Sequence, residues 1–264
     1  MSETNETKGK KKRTAGDVIR TIIIIIALGV FCYSAYQLIT IYLEYKKGVD
    51  EYNALNDQYV KEEVAVENVD GVPTMENPID FDGLKEVNED VIGWISADAV
   101  GVSYPIMHGK DNDYYLHRTF EGTYNFAGCI FMDYLNKGNF SDKNSIIYGH
   151  NMKNGSMFGS IHKYKNTETY ESDPYFWIYT PDEIYKYEIF AGTEVSVTSK
   201  TYQLSFKDDK DFMDYVEACK ANSAVKADVE VTKDDQVVTL STCTGNDATR
   251  FVVQGKLIET YKSK

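Results

Sequence analysis

The chain has 264 residues, a formal net charge of −13 and 42% hydrophobic residues, enough apolar content to build one sizeable core. A surface that acidic repels phosphate backbones, which argues against nucleic-acid binding. No zinc-type Cys/His spacing, His-Glu-x-x-His run, phosphate-binding glycine loop or Gly-x-Ser-x-Gly elbow occurs, so neither a metal nor a cofactor is expected.

Residues 1–20 carry Lys8, Lys10, Lys11, Lys12, Arg13 and Arg20 against only Glu3, Glu6 and Asp17. Thr21 to Leu43 then holds no charged residue and includes the isoleucine run Ile22–Ile26. About 20 apolar residues suffice for a helix to cross a bilayer. A cleaved signal peptide would have a shorter apolar region, of about 7–15 residues, and a small-residue cleavage site. Phe31-Cys32-Tyr33-Ser34-Ala35-Tyr36 is a poor one. The expectation is a retained single-pass anchor, with the basic residues 1–20 in the cytoplasm and the bulk of the chain outside.

Residues 44–78 read as a helical stalk and linker. Val49, Tyr52, Leu55 and Tyr59 recur at helical steps, and Gly71, Pro73 and Pro78 then break the pattern. The catalytic domain is expected over 79–264. Short β-type runs follow one another there, at 93–96, 128–133, 145–148, 175–179, 185–191, 236–242 and 250–258. Many short strands with polar turns favour a mainly β barrel or sandwich. Between two late strands, Lys207–Val225 places Phe212, Tyr215, Val216 and Cys219 at helical spacing, which predicts an inserted helix.

Three cysteines lie beyond the apolar segment, so they cannot all pair. Cys129, in an apolar run, and Cys219, on the apolar face of the predicted helix, read as core. Cys243 ends the strand Val237–Thr242 and precedes the polar turn Thr244-Gly245-Asn246-Asp247. A thiol there is held rigidly yet within reach of substrate, as a nucleophile requires; a buried strand-capping thiol is the alternative. His150 ends a second strand, Ser145–Gly149, and is a candidate proton shuttle. His108, His117 and His162 read as solvated or structural. Arg118 and Arg250 are the only arginines after Leu43. Hairpin geometry returns Arg250 beside Cys243, where its planar fork could hold an oxyanion; an ion pair with Asp247 or another carboxylate is the alternative.

These residues resemble the class B sortases, membrane-anchored cysteine transpeptidases. Thr239-Leu240-Ser241-Thr242-Cys243 is similar to the nucleophile motif, Ile147-Tyr148-Gly149-His150-Asn151-Met152 to the histidine segment, and Arg250-Phe251-Val252-Val253 to the arginine strand. Gly93-Trp94-Ile95, Tyr104-Pro105-Ile106 and Gly128–Asp133 match further segments, in the family's order. The resemblance implies a closed antiparallel β-barrel of about eight strands. N-terminal helices and the inserted helix at Lys207–Val225 come with it.

It also implies roles. Cys243 would attack a sorting signal after its threonine, His150 would move protons, and Arg250 would stabilise the oxyanion. Asn112, Leu116, Ser241 and Thr242 match peptide-binding positions, and Tyr202 is a looser match. The implied partners are surface proteins bearing a sorting signal and an amine of a peptidoglycan stem or cross-bridge peptide. The implied location is the cell membrane of a Gram-positive type, with the catalytic domain outside. The Cys243–Arg250 loop carries Thr244 and Gly245 where some relatives have a carboxylate, so no acid joins the set and Asp247 is a bystander. A cysteine endopeptidase using water and a non-catalytic tethered binding module stand as alternatives.

Overall fold

The structure, a computed structural model, describes residues 14–61, 66–69 and 71–264; the basic cluster Lys8–Arg13 lies outside them. The chain forms two units that meet between Lys46 and Lys47. The first helix, α1 (Ala15–Tyr59), is unbroken through the apolar segment. In the first unit its isoleucines Ile22–Ile26 are all at least half exposed. By length and composition the helix can cross a membrane, and lipid is the solvent that suits such a surface.

In the second unit the last turns of α1 bury Gly48, Tyr52, Leu55 and Tyr59, one face at helical spacing. Gly48 belongs to this face because a larger residue would press on the Asn125 side chain, 3.4 Å from where a Cβ would stand. The Tyr52 hydroxyl donates to the Gly128 carbonyl at 2.6 Å, and its ring meets Tyr104 edge-on.

The stretch read as a linker contains regular structure. Strands β1 (Glu67–Val69) and β2 (Val72–Met75) form a hairpin, and β2 runs parallel to the end of the last strand. Gly71, at φ 85°, sits in the turn. Asp-Gly between two short runs is a hairpin signal as well as a breaker. The helix α2 (Phe81–Val87) follows, capped by the Asp80 carboxylate on the Gly83 N–H.

Eight strands close the barrel: β3 (Val91–Ala97), β4 (Val102–Met107), β5 (Ile130–Met132), β6 (Asn144–Tyr148), β7 (Tyr175–Tyr179), β8 (Glu183–Ser196), β9 (Val237–Cys243) and β10 (Thr249–Ser263). Their order around the barrel is β10-β8-β7-β3-β4-β5-β6-β9, and β9 returns to β10. Six seams are antiparallel. The β4–β5 and β6–β9 seams are parallel, so the barrel is mixed where the resemblance implied an antiparallel one. Parallel neighbours need a long crossover, and the chain supplies residues 108–129 for one and 149–236 for the other.

Strand β4 is not among the runs expected from the sequence, and it contains Pro105. Pro105 pairs with Trp94 of β3, while pairing to β5 begins only at Ile106. The proline therefore lies where the strand has one partner, which is where prolines are tolerated. The interior is filled by Ile95, Ile106, Ile147, Ile178, Ile189, Leu240 and Val253, which the register places on one face of the sheet and which are each at most 1% exposed.

Two helices lie within the long β6–β9 crossover. A short one, α3 (Thr167–Ser172), precedes β7. The predicted insertion is α4 (Asp209–Ala221), between β8 and β9, capped by Asp208 on the Asp211 N–H. Its buried face of Phe212, Tyr215, Val216 and Cys219 packs against Phe190, Val229, Val231 and Val237.

Candidate active site

The two seams around β9 bring one end of three strands together. Along the parallel seam Tyr148 pairs with Ser241, so His150 and Cys243 each lie two residues beyond the same rung. The Gly149 N–H extends that ladder by donating to the Ser241 carbonyl at 3.1 Å. On the other side Arg250 is the direct antiparallel partner of Cys243. A cavity of about 190 Å³ opens at this junction, lined by His150, Cys243 and Arg250 with Asn112, Leu116, Phe131, Tyr148, Gly149, Ser241 and Thr242. Larger clefts of about 570 and 690 Å³ elsewhere bring no histidine to a thiol.

Gly149 is required for this approach. A Cβ there would stand 2.4 Å from Ile130 Cδ1 and 2.7 Å from the Phe158 ring, so a larger residue would push the histidine segment off the barrel. Just beyond, Asn151 donates its side-chain N–H to the Cys243 carbonyl at 2.8 Å. That bond ties the histidine segment to the thiol-bearing residue.

Cys243 is half-buried, whereas Cys129 and Cys219 are buried at 0% and 5% exposure. Burial pushes the Cys219 thiol up to about 11 and that of Cys129 higher still. Both are unreactive thiols at neutral pH.

His150 is half-buried, and its Nε2 lies 2.7 Å from the Leu116 carbonyl oxygen. Burial, the larger effect, lowers its pKa below the usual histidine value; Leu116 opposes this, while His117 and Arg250 add to it. The imidazole is therefore mainly neutral at pH 7. The Arg250 Nη1 donates to the main-chain oxygens of Asp247 and Thr249, at 3.0 and 2.8 Å. Arg250 thus meets Asp247 through its backbone, and it forms no ion pair with a carboxylate among the described residues. Its Nε–H and Nη2 make no hydrogen bond among the described residues.

Asn112 uses its amide locally, donating to Asp133 at 3.0 Å and accepting the Tyr134 N–H at 3.0 Å. Asp133 also accepts from the Tyr148 hydroxyl at 2.9 Å, which fixes the cavity's aromatic wall. Thr242 is buried, and its hydroxyl has no partner among the described residues. Tyr202 does not line the cavity itself. It shares a 2.9 Å hydrogen bond with the Ser241 hydroxyl and stacks on Tyr148. The carbonyls on either side of Tyr202, those of Thr201 and Gln203, both accept from the buried Asn144 amide, at 3.3 and 3.0 Å. Phe131, Tyr148, Asn144 and Asn151 are not among the site residues expected from the sequence, although all but Asn144 lie in the segments that carry the resemblance.

Residues 95–258 match the Sortase domain family. The chain belongs to the sortase family. Sortase B of Listeria monocytogenes is 35% identical over 241 residues, covering 89% of this chain and 94% of that protein. Sortase B of Staphylococcus aureus is 26% identical over 242 residues, covering 90% and 96%. Among solved structures, a Bacillus anthracis sortase B in complex with AAEK1 superposes with a TM-score of 0.71 at 33% identity, covering 83% of this chain and 99% of that one. A Staphylococcus aureus sortase B–substrate complex gives a TM-score of 0.69 at 26% identity, covering 82% and 99%. The chain is accordingly a class B sortase, a cysteine transpeptidase built on a closed eight-stranded barrel.

Proposed function

We propose that this sortase cleaves a C-terminal sorting signal after threonine and joins the cargo protein to a peptidoglycan amine, with Cys243, His150 and Arg250 as its catalytic residues. The observation that carries this is the single cavity lined by a half-buried thiol, an imidazole and a guanidinium, at the ends of three adjoining strands.

A carbonyl oxygen only accepts hydrogen bonds, so the bond to Leu116 leaves the proton on Nε2 and makes Nδ1 the exchanging nitrogen of His150. Leu116 thereby does the orienting that a carboxylate does in other triads. The Cys243 thiol gives its proton to Nδ1 of His150 as the sulfur attacks the threonine carbonyl, and the N–H groups of Arg250 meet the oxyanion. The C–N bond breaks, the leaving amine takes a proton from His150, and a thioester remains. The acceptor amine then attacks the thioester, gives a proton to His150 and releases the thiolate. Asn112, Leu116, Tyr202, Ser241 and Thr242 are assigned to the peptide groove; the unpartnered Thr242 hydroxyl supports this for its own position.

The apolar helix is assigned to a single span with residues 1–20 in the cytoplasm and 79–264 outside the cell, together with the 44–78 segment whose hairpin joins the sheet. Protease added to wall-stripped cells should remove the outer domain and spare the leader. The chemistry is tested by incubating the enzyme with a threonine-containing sorting peptide and an amine. The expected product is a threonine-linked amide, read by mass spectrometry, with turnover rising as amine is added. Rapid release of free acid alone at every amine concentration would make the enzyme a hydrolase instead.

A further inference from the structure

One short piece of chain grips His150 twice. Leu116 presents its carbonyl to Nε2 at 2.7 Å. The next residue, His117, lays its ring against the His150 imidazole, with centroids 5.9 Å apart and planes 26° apart. On its other side His117 faces Tyr124, at 6.2 Å and 37°. Both are exposed, so burial does not hold them there. Backbone bonding does: the Asn125 N–H donates to the His117 carbonyl at 3.0 Å, the Thr119 N–H to Thr123 at 2.9 Å, and Arg118 bridges to Tyr124. A small hairpin thus carries His117 as a fixed support.

A hydrogen bond at one ring nitrogen fixes a single atom and leaves the imidazole free to rock about that contact. A flat ring stacked on its face fixes the plane as well. Catalytic groups lose much of their effect when they stray by an ångström. The charged and titratable groups beside His150 are His117 from this hairpin, Arg250 from β10, and Cys243 and Tyr148, which line its cavity; no carboxylate of the described residues is among those acting on it. When protonated, His117 places a like charge against an imidazolium, as Arg250 does.

We propose that His117 is a positioning residue for the transpeptidation. It supports the face of the His150 imidazole so that Nε2 stays on Leu116 and Nδ1 serves the cavity. The inference rests on His150 being the proton shuttle.

The test uses the full chain in detergent, with a sorting peptide and an amine as substrates. His117→Ala should lower kcat about tenfold while KM for the peptide stays within about twofold, because only the alignment of a proton-transfer group is lost. His117→Phe keeps a flat ring without nitrogens and should restore kcat to within about threefold of wild type. The chain has four histidines, so His150 can be followed separately by NMR titration. Its half-titration pH should rise in both variants, since both remove the neighbouring charge. An unchanged kcat in His117→Ala would overturn the proposal, and so would an equal loss in the Ala and Phe variants. Full activity in His150→Ala would overturn the reading beneath it. That failure is told apart because the His117 variants would still shift the His150 titration.

Discussion

Two regions of the catalytic unit hold a thiol beside a tyrosine and a buried polar group, yet only one of them is built for chemistry. Under α4, Cys219 lies in an apolar cluster and receives the Gln254 side-chain N–H at 2.8 Å, while the Tyr215 hydroxyl reaches Gln254 and Thr239. At the end of β9, Cys243 is half-buried, opens on a cavity and shares it with His150 and Arg250. The same side chain is inert in the first setting because burial disfavours its thiolate and no substrate can reach it. In the second it has space, an imidazole and a planar cation. Reactivity belongs to the neighbourhood of a cysteine more than to the cysteine.

The largest test of that contrast is to delete each sulfur. Cys243→Ala should abolish thioester formation with an unchanged melting temperature. Cys219→Ala should keep the activity and cost about 1 kcal/mol of stability through a small cavity. Mass spectrometry of the acyl-enzyme and thermal unfolding read the two effects. An active Cys243→Ala enzyme would erase the distinction.

Next in size is the cation. Arg250→Lys should lower kcat by about 10²–10³, because one ammonium cannot present the fork left free by the turn carbonyls. A wild-type rate would return Arg250 to a turn-stabilising role, which its bonds to Asp247 and Thr249 would then explain in full.

Thiol labelling separates the regions without any substrate. In a Cys32→Ala background one equivalent of an alkylating reagent should react with the folded enzyme, at Cys243. Cys129 and Cys219 should react only as the chain unfolds. Peptide mapping after a timed quench decides it.

The smallest effect is on stability in acid. The His150 pKa is lowered in the fold, chiefly by burial, so the unfolded chain takes up a proton at a higher pH than the native one. Stability is unaffected above the ordinary histidine value of about 6.5 and falls as pH drops through it towards the lower folded value. His162, also shifted down by burial, acts in the same direction. Denaturant unfolding across that range should show a shallower acid decline in His150→Ala than in the wild type. An identical slope would place the imidazole in water.

Much of this was legible because it is local. The apolar run from Thr21 to Leu43, the strand ending at Cys243 and the helical spacing of Phe212, Tyr215, Val216 and Cys219 each announce themselves within a few residues. Arg250 could be set beside Cys243 because a hairpin joins them, and the observed register pairs the two residues directly. The reading failed where one signal has two meanings. Gly71 and Pro73 look like a linker but stand in a hairpin that extends the sheet, and β4, whose Pro105 stands where the strand has one partner, was not expected.

His117 looked like any surface histidine, and its stacking on His150 depends on a hairpin whose position no local pattern predicts. The sequence alone determined the residue types of the site, the end of each strand on which they stand and the family they resemble, because those properties travel with short segments. Only the tertiary structure decided that His150 lines the same cavity as Cys243. Those residues are far apart along the chain, and they become neighbours through the parallel β6–β9 seam, whose register sets Tyr148 against Ser241. A parallel seam is made by the crossover and the closure of the barrel, and its register is set by the packing of both faces together.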